Sequence, residues 1–340
     1  MRDRPELGDT TITVALREAY GIATSALSFL PLGADSASFA YRVDTADGAS
    51  YFLKVRSSAG FSEASLAVPR YLQDSGMPHI AAPLRTLARA LWVSVADYAL
   101  SLYPFIDGRT GVEAGLSDAH WRELGATVRQ IHASRLTPDL MRVLQRESYI
   151  PSRREVLTML PAILEQQSPT SPLARELAAF CDAHRAKLDR LVARADALGR
   201  RLRQAAAPLV LCHADFHNWN VLLDSAGQLW VVDWDETILA PKERDLMFVM
   251  RGIGRDLVKP HETVCFLQGY GDAAIDPVAL AYYRYAWAVQ DMGAYAEEAV
   301  LMPDRSAESH RDGVRGFMSL FEPGNIADIA FASDAELNAD

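Results

Sequence analysis

The stretch PLVLCHADFHNWNVLLDSAGQLWVVDWDE, residues 208–236, decides how the rest of the chain is read. His213, Asp215 and Asn220 form the pattern H-x-D-x-x-x-x-N. An apolar run follows, Val221-Leu222-Leu223, then the turn DSAGQ, then a second apolar run from Leu229 to Val232 that ends at Asp233. Two apolar runs around a Gly-containing turn read as a β-hairpin. The hairpin brings two carboxylates and one amide together. Phosphoryl transfer from MgATP needs such a set: oxygen ligands for the metal, and a carboxylate that orients an attacking hydroxyl and accepts its proton. A zinc site is a competing reading, with His213 and His217 at i and i+4 beside Cys212. That spacing serves zinc on a helix, whereas here it lies between strand-like runs. A third reading makes the polar residues simple caps of a hairpin.

Upstream, TTITVALREAY (10–20) reads as a helix with a threonine N-cap and Gly21 at its end. Runs 25–31, 38–44 and 50–56 read as strands, the last two forming a hairpin around ADGA (46–49). FSEASLAVPRYLQDSG (61–76) reads as a helix kinked by Pro69, and 86–106 as two or three further strands. From Ser117 the pattern turns helical: an amphipathic helix from 117, further helices over 152–167 and 172–206, and helical periodicity over 241–322. The layout is α+β. A β-rich nucleotide-binding lobe is expected over 1–106 and a larger helical lobe over 107–340, with a hinge at about 103–108. The second lobe would carry the hairpin 208–236 and the acceptor site.

The 340 residues carry a net charge of −10 and are 49% hydrophobic, a folded composition that argues against nucleic-acid binding and permits a cationic partner. No run reaches the ~20 apolar residues of a membrane helix. The polar N-terminus and three scattered cysteines suit a cytoplasmic protein. No obligate protein partner is evident. Only four of the 34 basic residues are lysine, and Lys54 is the only one in the first 186 residues. Codon bias explains the scarcity. The one retained lysine still lies inside the strand-like run YFLKV, where a snorkelling edge lysine is the plain alternative.

These motifs resemble the aminoglycoside phosphotransferase family, which has the bilobal protein-kinase-like fold. The resemblance runs along nearly the whole chain and includes Phe39-Ala40-Tyr41, Tyr51-Phe52 before the lysine, Pro104-Phe105-Ile106 and the long run WDETILAPKERDLMF (234–248). It implies Asp215 as catalytic base, Asn220 and Asp233 as magnesium ligands, and His213 as organiser of the catalytic loop. Asp245 of the PKERDL segment would buttress that loop. Lys54 would bind the α- and β-phosphates, paired with Glu63, the only glutamate between Lys54 and Glu113. The loop PLGADSASFAY (31–41) lacks G-x-G-x-x-G, yet backbone amides around Gly33 and the Ser36 hydroxyl would face phosphate. Tyr103 and Phe105 would flank adenine, although an aromatic there also suits a plain core. No Gly-Lys pair exists, which excludes the usual P-loop.

The expected activity is transfer of the γ-phosphate of MgATP to a hydroxyl of an aminocyclitol or aminoglycoside antibiotic, with GTP left open as donor. The acceptor would be cationic and hydroxyl-rich, so carboxylates and aromatic walls are expected around it. The candidates are His217, Asp235, Glu236, Trp287, Asp291 and Tyr295, any of which could instead be solvated or packed. Two alternatives stand beside this one: a metabolic kinase for an amino alcohol or sugar, and a non-catalytic nucleotide-binding module. A protein kinase fits poorly, because APKE (240–243) follows Asp233 too closely for an activation loop.

Overall fold

A computed structural model describes residues 4–32, 37–168, 170–255, 257–303 and 305–337. Helix α1 (Asp9–Tyr20) ends on Gly21, whose φ of 71° lets its amide reach back to the last carbonyls. Its N-cap is Gly8 rather than the expected threonine, so the helix starts a residue earlier than Thr10. Strands β1 (Thr24–Leu30), β2 (Ser38–Thr45) and β3 (Ser50–Ser57) follow, then α2 (Ala64–Asp74), with Pro69 inside the helix. The 86–106 region holds two strands, β4 (Val93–Val95) and β5 (Tyr98–Pro104). These five strands form one sheet in the order β1-β2-β3-β5-β4, and every pair is antiparallel.

Alternation decides what this sheet presents. Leu53 and Val55 of β3 are fully buried, with Tyr41 and Val43 of β2 and Leu100 and Leu102 of β5. Ile12 and Leu16, one helical turn apart on α1, close the same core. Lys54 and Arg56 therefore emerge on the opposite face. Directly opposite residues share a face in antiparallel pairs. Lys54 stands between Ala40 and Ser101, and Arg56 between Ser38 and Ala99, so two long cations are flanked by small side chains.

The remaining elements, in chain order, are β6 (Gly108–Thr110), α3 (Gly111–Ala114), α4 (Asp118–His132), α5 (Pro138–Val143), α6 (Arg154–Gln167), α7 (Pro172–Ala183), α8 (Arg185–Ala205), β7 (Val210–Cys212), β8 (Val221–Asp224), β9 (Leu229–Val231), β10 (Ile238–Ala240), α9 (Glu243–Leu246), α10 (Pro260–Tyr270), α11 (Pro277–Val300), α12 (Ala307–Ser319) and α13 (Ile326–Leu337). The expected hairpin is β8–β9, with Val221 opposite Val231. Strand β6, which sequence periodicity does not reveal, extends it into a three-stranded sheet. An antiparallel region thus lies towards the N-terminus and a helical one towards the C-terminus.

Residue contacts divide the chain into two compact units. One comprises 1–120, 127–145 and 213–237; the other comprises 121–126, 146–212 and 238–340. The β8–β9 hairpin, expected with the helical residues, groups with the five-stranded sheet. In the second unit α11 is buried along most of its length, and α6, α8, α12 and α13 pack on it. Asp276 caps it by accepting from the amides of Val278 and Ala279.

Candidate active site

The loop between β7 and β8 is tied down by its own polar groups. His213 is fully buried. Its Nδ1 accepts from the Asp215 amide at 3.3 Å, so Nε2 carries the proton and donates to the Val232 carbonyl at 2.9 Å. One imidazole thereby links the start of the loop to the end of β9. Trp234 lies 4.7 Å from that ring and Phe216 5.9 Å, ring centre to ring centre. Two non-glycine residues here have left-handed backbones, Ala214 at φ 68° and Asp233 at φ 61°. Such strain persists only where surrounding contacts over-determine it.

Asp215 and Asn220 meet directly. The Asn220 side-chain amide donates to Asp215 Oδ2 at 2.8 Å and to the Asp215 carbonyl at 2.9 Å. This leaves the Asn220 carbonyl oxygen, the hard donor a magnesium ion takes. Asp215 Oδ1 is 3.2 Å from His217 Nε2. Burial opposes ionisation of Asp215, but His217 and His213 outweigh it and hold the carboxyl below its ordinary value. Burial likewise opposes the charged form of His217, and Asp215 outweighs it in the upward direction.

Lys54 reaches the other end of the hairpin. Its Nζ lies 2.8 Å from Asp233 and 2.6 Å from Asp235. Burial disfavours the ammonium, yet the two aspartates raise its pKa on balance. Asp233 is held down at about 2: burial works against the charge, and Lys54 more than offsets it. The Asp233 side chain is 43% exposed and that of Asp235 only 18%. Asp233 can thus offer oxygen to a metal from the solvent side. Together with the Asn220 carbonyl it would supply a small, hard oxygen set of the kind magnesium prefers.

The expectations for Glu63 and Asp235 need correction. Glu63 is not the partner of Lys54. Helix α2 starts only at Ala64, so Glu63 precedes its first turn and is exposed, while the buried face of α2 is apolar apart from Ser65. Asp235, expected against the acceptor, instead accepts from Lys54, and Arg56 Nη1 stands 2.8 Å from the same oxygen. The i+2 spacing of Arg56 to Lys54 is its only sequence signal, and it is a weak one in a chain so rich in arginine.

The other candidates are scattered. Tyr103 is half-buried on β5, edge-on to Phe52, and burial raises its hydroxyl pKa. The Arg42 guanidinium covers the Phe105 ring at 4.5 Å. Glu236 is exposed. Gly33 and Ser36 lie outside the described residues. In the second unit Asp245 is 1% exposed on α9, and its charge raises the pKa of Cys212, which burial has already pushed up. Trp287 is 5% exposed and is not an open wall: Phe248 packs edge-on at 4.8 Å and Arg244 covers the ring at 5.4 Å. Asp291 and Tyr295 are half-buried on α11, and the Tyr295 ring lies against Gly316 of α12. An unanticipated residue is Trp219, 44% exposed beside His217 in the loop between β7 and β8.

Comparison with known proteins identifies the family. Residues 28–291 match the model of the phosphotransferase enzyme family, APH. Among solved structures, spectinomycin phosphotransferase, APH(9)-Ia, in complex with ADP and spectinomycin is 32% identical with a TM-score of 0.84, covering 97% of this chain and 99% of that one. An AMP-bound complex of the same enzyme gives 32% identity and a TM-score of 0.79, covering 95% and 98%. The amicoumacin kinase hAmiN, with AMP-PNP and Ca2+, is 18% identical at a TM-score of 0.62, covering 95% and 97%, and shares the kinase-like fold. The chain is an enzyme that phosphorylates an alcohol group, and it belongs to the APH phosphotransferase enzyme family.

Proposed function

We propose that this enzyme transfers the γ-phosphate of MgATP to a hydroxyl of an aminocyclitol or aminoglycoside antibiotic, with spectinomycin as the first acceptor to try. The observation that carries the reading is the convergence of Asp215, Asn220, Asp233 and Lys54 on one hairpin and the strand beside it. Near-full-length similarity to an enzyme solved with ADP and spectinomycin supports the acceptor class. Residues 1–106 would act as the nucleotide lobe, 103–108 as the hinge and 107–340 as the acceptor lobe, and the enzyme would work in the cytoplasm, where MgATP is available. Among the described residues no helix is long and apolar enough to cross a membrane.

In this mechanism Asp215 orients the acceptor hydroxyl and takes its proton as the oxygen attacks in line. Asn220 keeps the carboxylate pointed by donating to Oδ2. His213 fixes the loop. Asn220 and Asp233 would hold magnesium, which when bound neutralises the charge of the phosphates. Lys54 holds the phosphate tail, and Tyr103 and Phe105 border the base. His217, Glu236 and Trp219 would face the acceptor, Trp219 as an aromatic surface for a cation. Asp291 and Tyr295 are further acceptor contacts under this reading. Most of the acceleration comes from positioning and charge stabilisation.

The test is incubation of the purified enzyme with MgATP and spectinomycin, followed by mass spectrometry. A singly phosphorylated antibiotic, and protection of cells expressing the enzyme, are the expected results. Phosphorylation of amino alcohols or sugars with none of any aminocyclitol would overturn the acceptor assignment.

A further inference from the structure

We infer that Asp235, not a glutamate of α2, is the carboxylate that positions the phosphate-binding lysine, and that it does so by holding Lys54 and Arg56 as a pair. The inference rests on Lys54 being the phosphate-binding residue. Asp235 Oδ2 lies 2.6 Å from Lys54 Nζ and 2.8 Å from Arg56 Nη1. The two cations sit at i and i+2 of β3, so the sheet fixes their spacing, and one oxygen atom bridges them. Their side chains are only 12% and 13% exposed.

The two aspartates near Lys54 are not equivalent. Asp233 is 43% exposed and doubles as a metal ligand in the proposed chemistry; a ligand drawing its oxygens away would leave Lys54 with Asp235. Asp235 is 18% exposed and engages both cations, so it stays as their counter-charge. Helix α2 offers no substitute. Its single carboxylate, Asp74, lies at the far end and pairs with Arg70 and Arg85. Glu63 is exposed ahead of the helix.

The consequence is mechanical. The metal carboxylate and the lysine's tether lie two residues apart on one segment, so setting that segment sets both. Placing the lysine requires no movement of α2.

The experiment measures ADP and adenosine binding by calorimetry in the intact enzyme and in Asp235→Asn, Asp235→Glu, Glu63→Gln and Lys54→Met. Losing a charge-assisted contact that orders the lysine should weaken ADP on the order of tenfold in Asp235→Asn. Adenosine, which has no phosphates, should bind as in the parent. Asp235→Glu should recover part of the loss, and Glu63→Gln should change ADP affinity by less than about twofold. KM for ATP should rise in Asp235→Asn by more than kcat falls. The inference is overturned if Glu63→Gln loses ADP affinity and Asp235→Asn does not. It is also overturned if Asp235→Asn loses adenosine and ADP alike, which is structural damage. Should Asp235→Asn fail to fold, Asp235→Glu decides: selective weakening of ADP supports the inference, and parental ADP binding overturns it. Lys54→Met separates the two layers. If it binds ADP as the parent does, the phosphate-binding reading of Lys54 fails, whatever Asp235 does.

Discussion

Asn220 donates its side-chain amide to Asp215 twice, to the carboxylate at 2.8 Å and to the main-chain carbonyl at 2.9 Å. One residue therefore fixes the direction of the proposed base, and its side-chain carbonyl is the oxygen proposed for the metal. Asn220→Asp keeps an oxygen for the metal but replaces a donor with a like charge beside Asp215. We expect kcat to fall on the order of 100-fold or more, with a smaller change in KM for ATP. Steady-state kinetics at several magnesium concentrations check this. An equal loss of ATP affinity and turnover would mean that Asn220 serves the metal alone.

Asp215→Ala removes the base but none of the groups proposed to bind nucleotide. Transfer should drop by about three orders of magnitude or more, while ADP affinity stays near that of the parent. Calorimetry beside a radiolabelled transfer assay separates the two quantities. Normal turnover would remove Asp215 from the chemistry.

The local grouping of polar residues was legible where it depended on residue types at fixed spacing. His213, Asp215, Asn220 and Asp233 announced themselves because loop and hairpin are contiguous, and the hairpin formed as its apolar runs dictated. Partnerships across long sequence distances were not legible. Lys54 and Asp235 are separated by 181 positions, and no periodicity in either segment says that they meet. The resemblance implies Glu63, the only glutamate between Lys54 and Glu113, whereas the partner comes from the segment after β9. Trp287 failed for another reason. An aromatic on an apolar helix face reads the same whether it lines a cleft or fills a core, and only packing against Phe248 and Arg244 decides. Strand β6 escaped because three residues are too few to show alternation.

The C-terminal helix should make stability pH-dependent. Asp334 of α13 accepts from Arg190 at 2.8 Å, Arg194 at 2.7 Å and the Tyr285 hydroxyl at 2.9 Å. Burial raises the carboxyl, and these donors outweigh it, so its folded pKa lies below the ordinary value. A depressed folded pKa stabilises above the unfolded value of ~3.9 and loses that contribution as pH falls through the folded value. Asp334→Asn should therefore cost stability at neutral pH, on the order of 1–2 kcal/mol, and the gap to the parent should close as pH drops below ~3.9. Urea unfolding at a series of pH values measures the gap. A gap independent of pH would assign the loss to packing.

Among the described glycines, Gly269 of α10 leaves the least room for a side chain. A methyl group there would stand 1.8 Å from the Arg122 carbonyl oxygen, and one at Gly125 would stand 2.0 Å from the Phe266 carbonyl oxygen. Each glycine thus admits the backbone of the other's segment. Both obstructing atoms are main-chain oxygens, which no rotamer change can move aside. Gly→Ala in a helix ordinarily gains about 1 kcal/mol from propensity, so intrinsic preference predicts stabilisation. Overpacking predicts the opposite, on the order of 2–3 kcal/mol of loss, because the segments must separate. The contact distance decides for overpacking, and Gly269→Ala should lower the urea midpoint with little change in m-value. Gly60, with no atom within 4 Å of an added methyl, is the control, and Gly60→Ala should leave the midpoint nearly unchanged. A midpoint for Gly269→Ala at or above the parental value would show that the two segments are further apart than the structure places them.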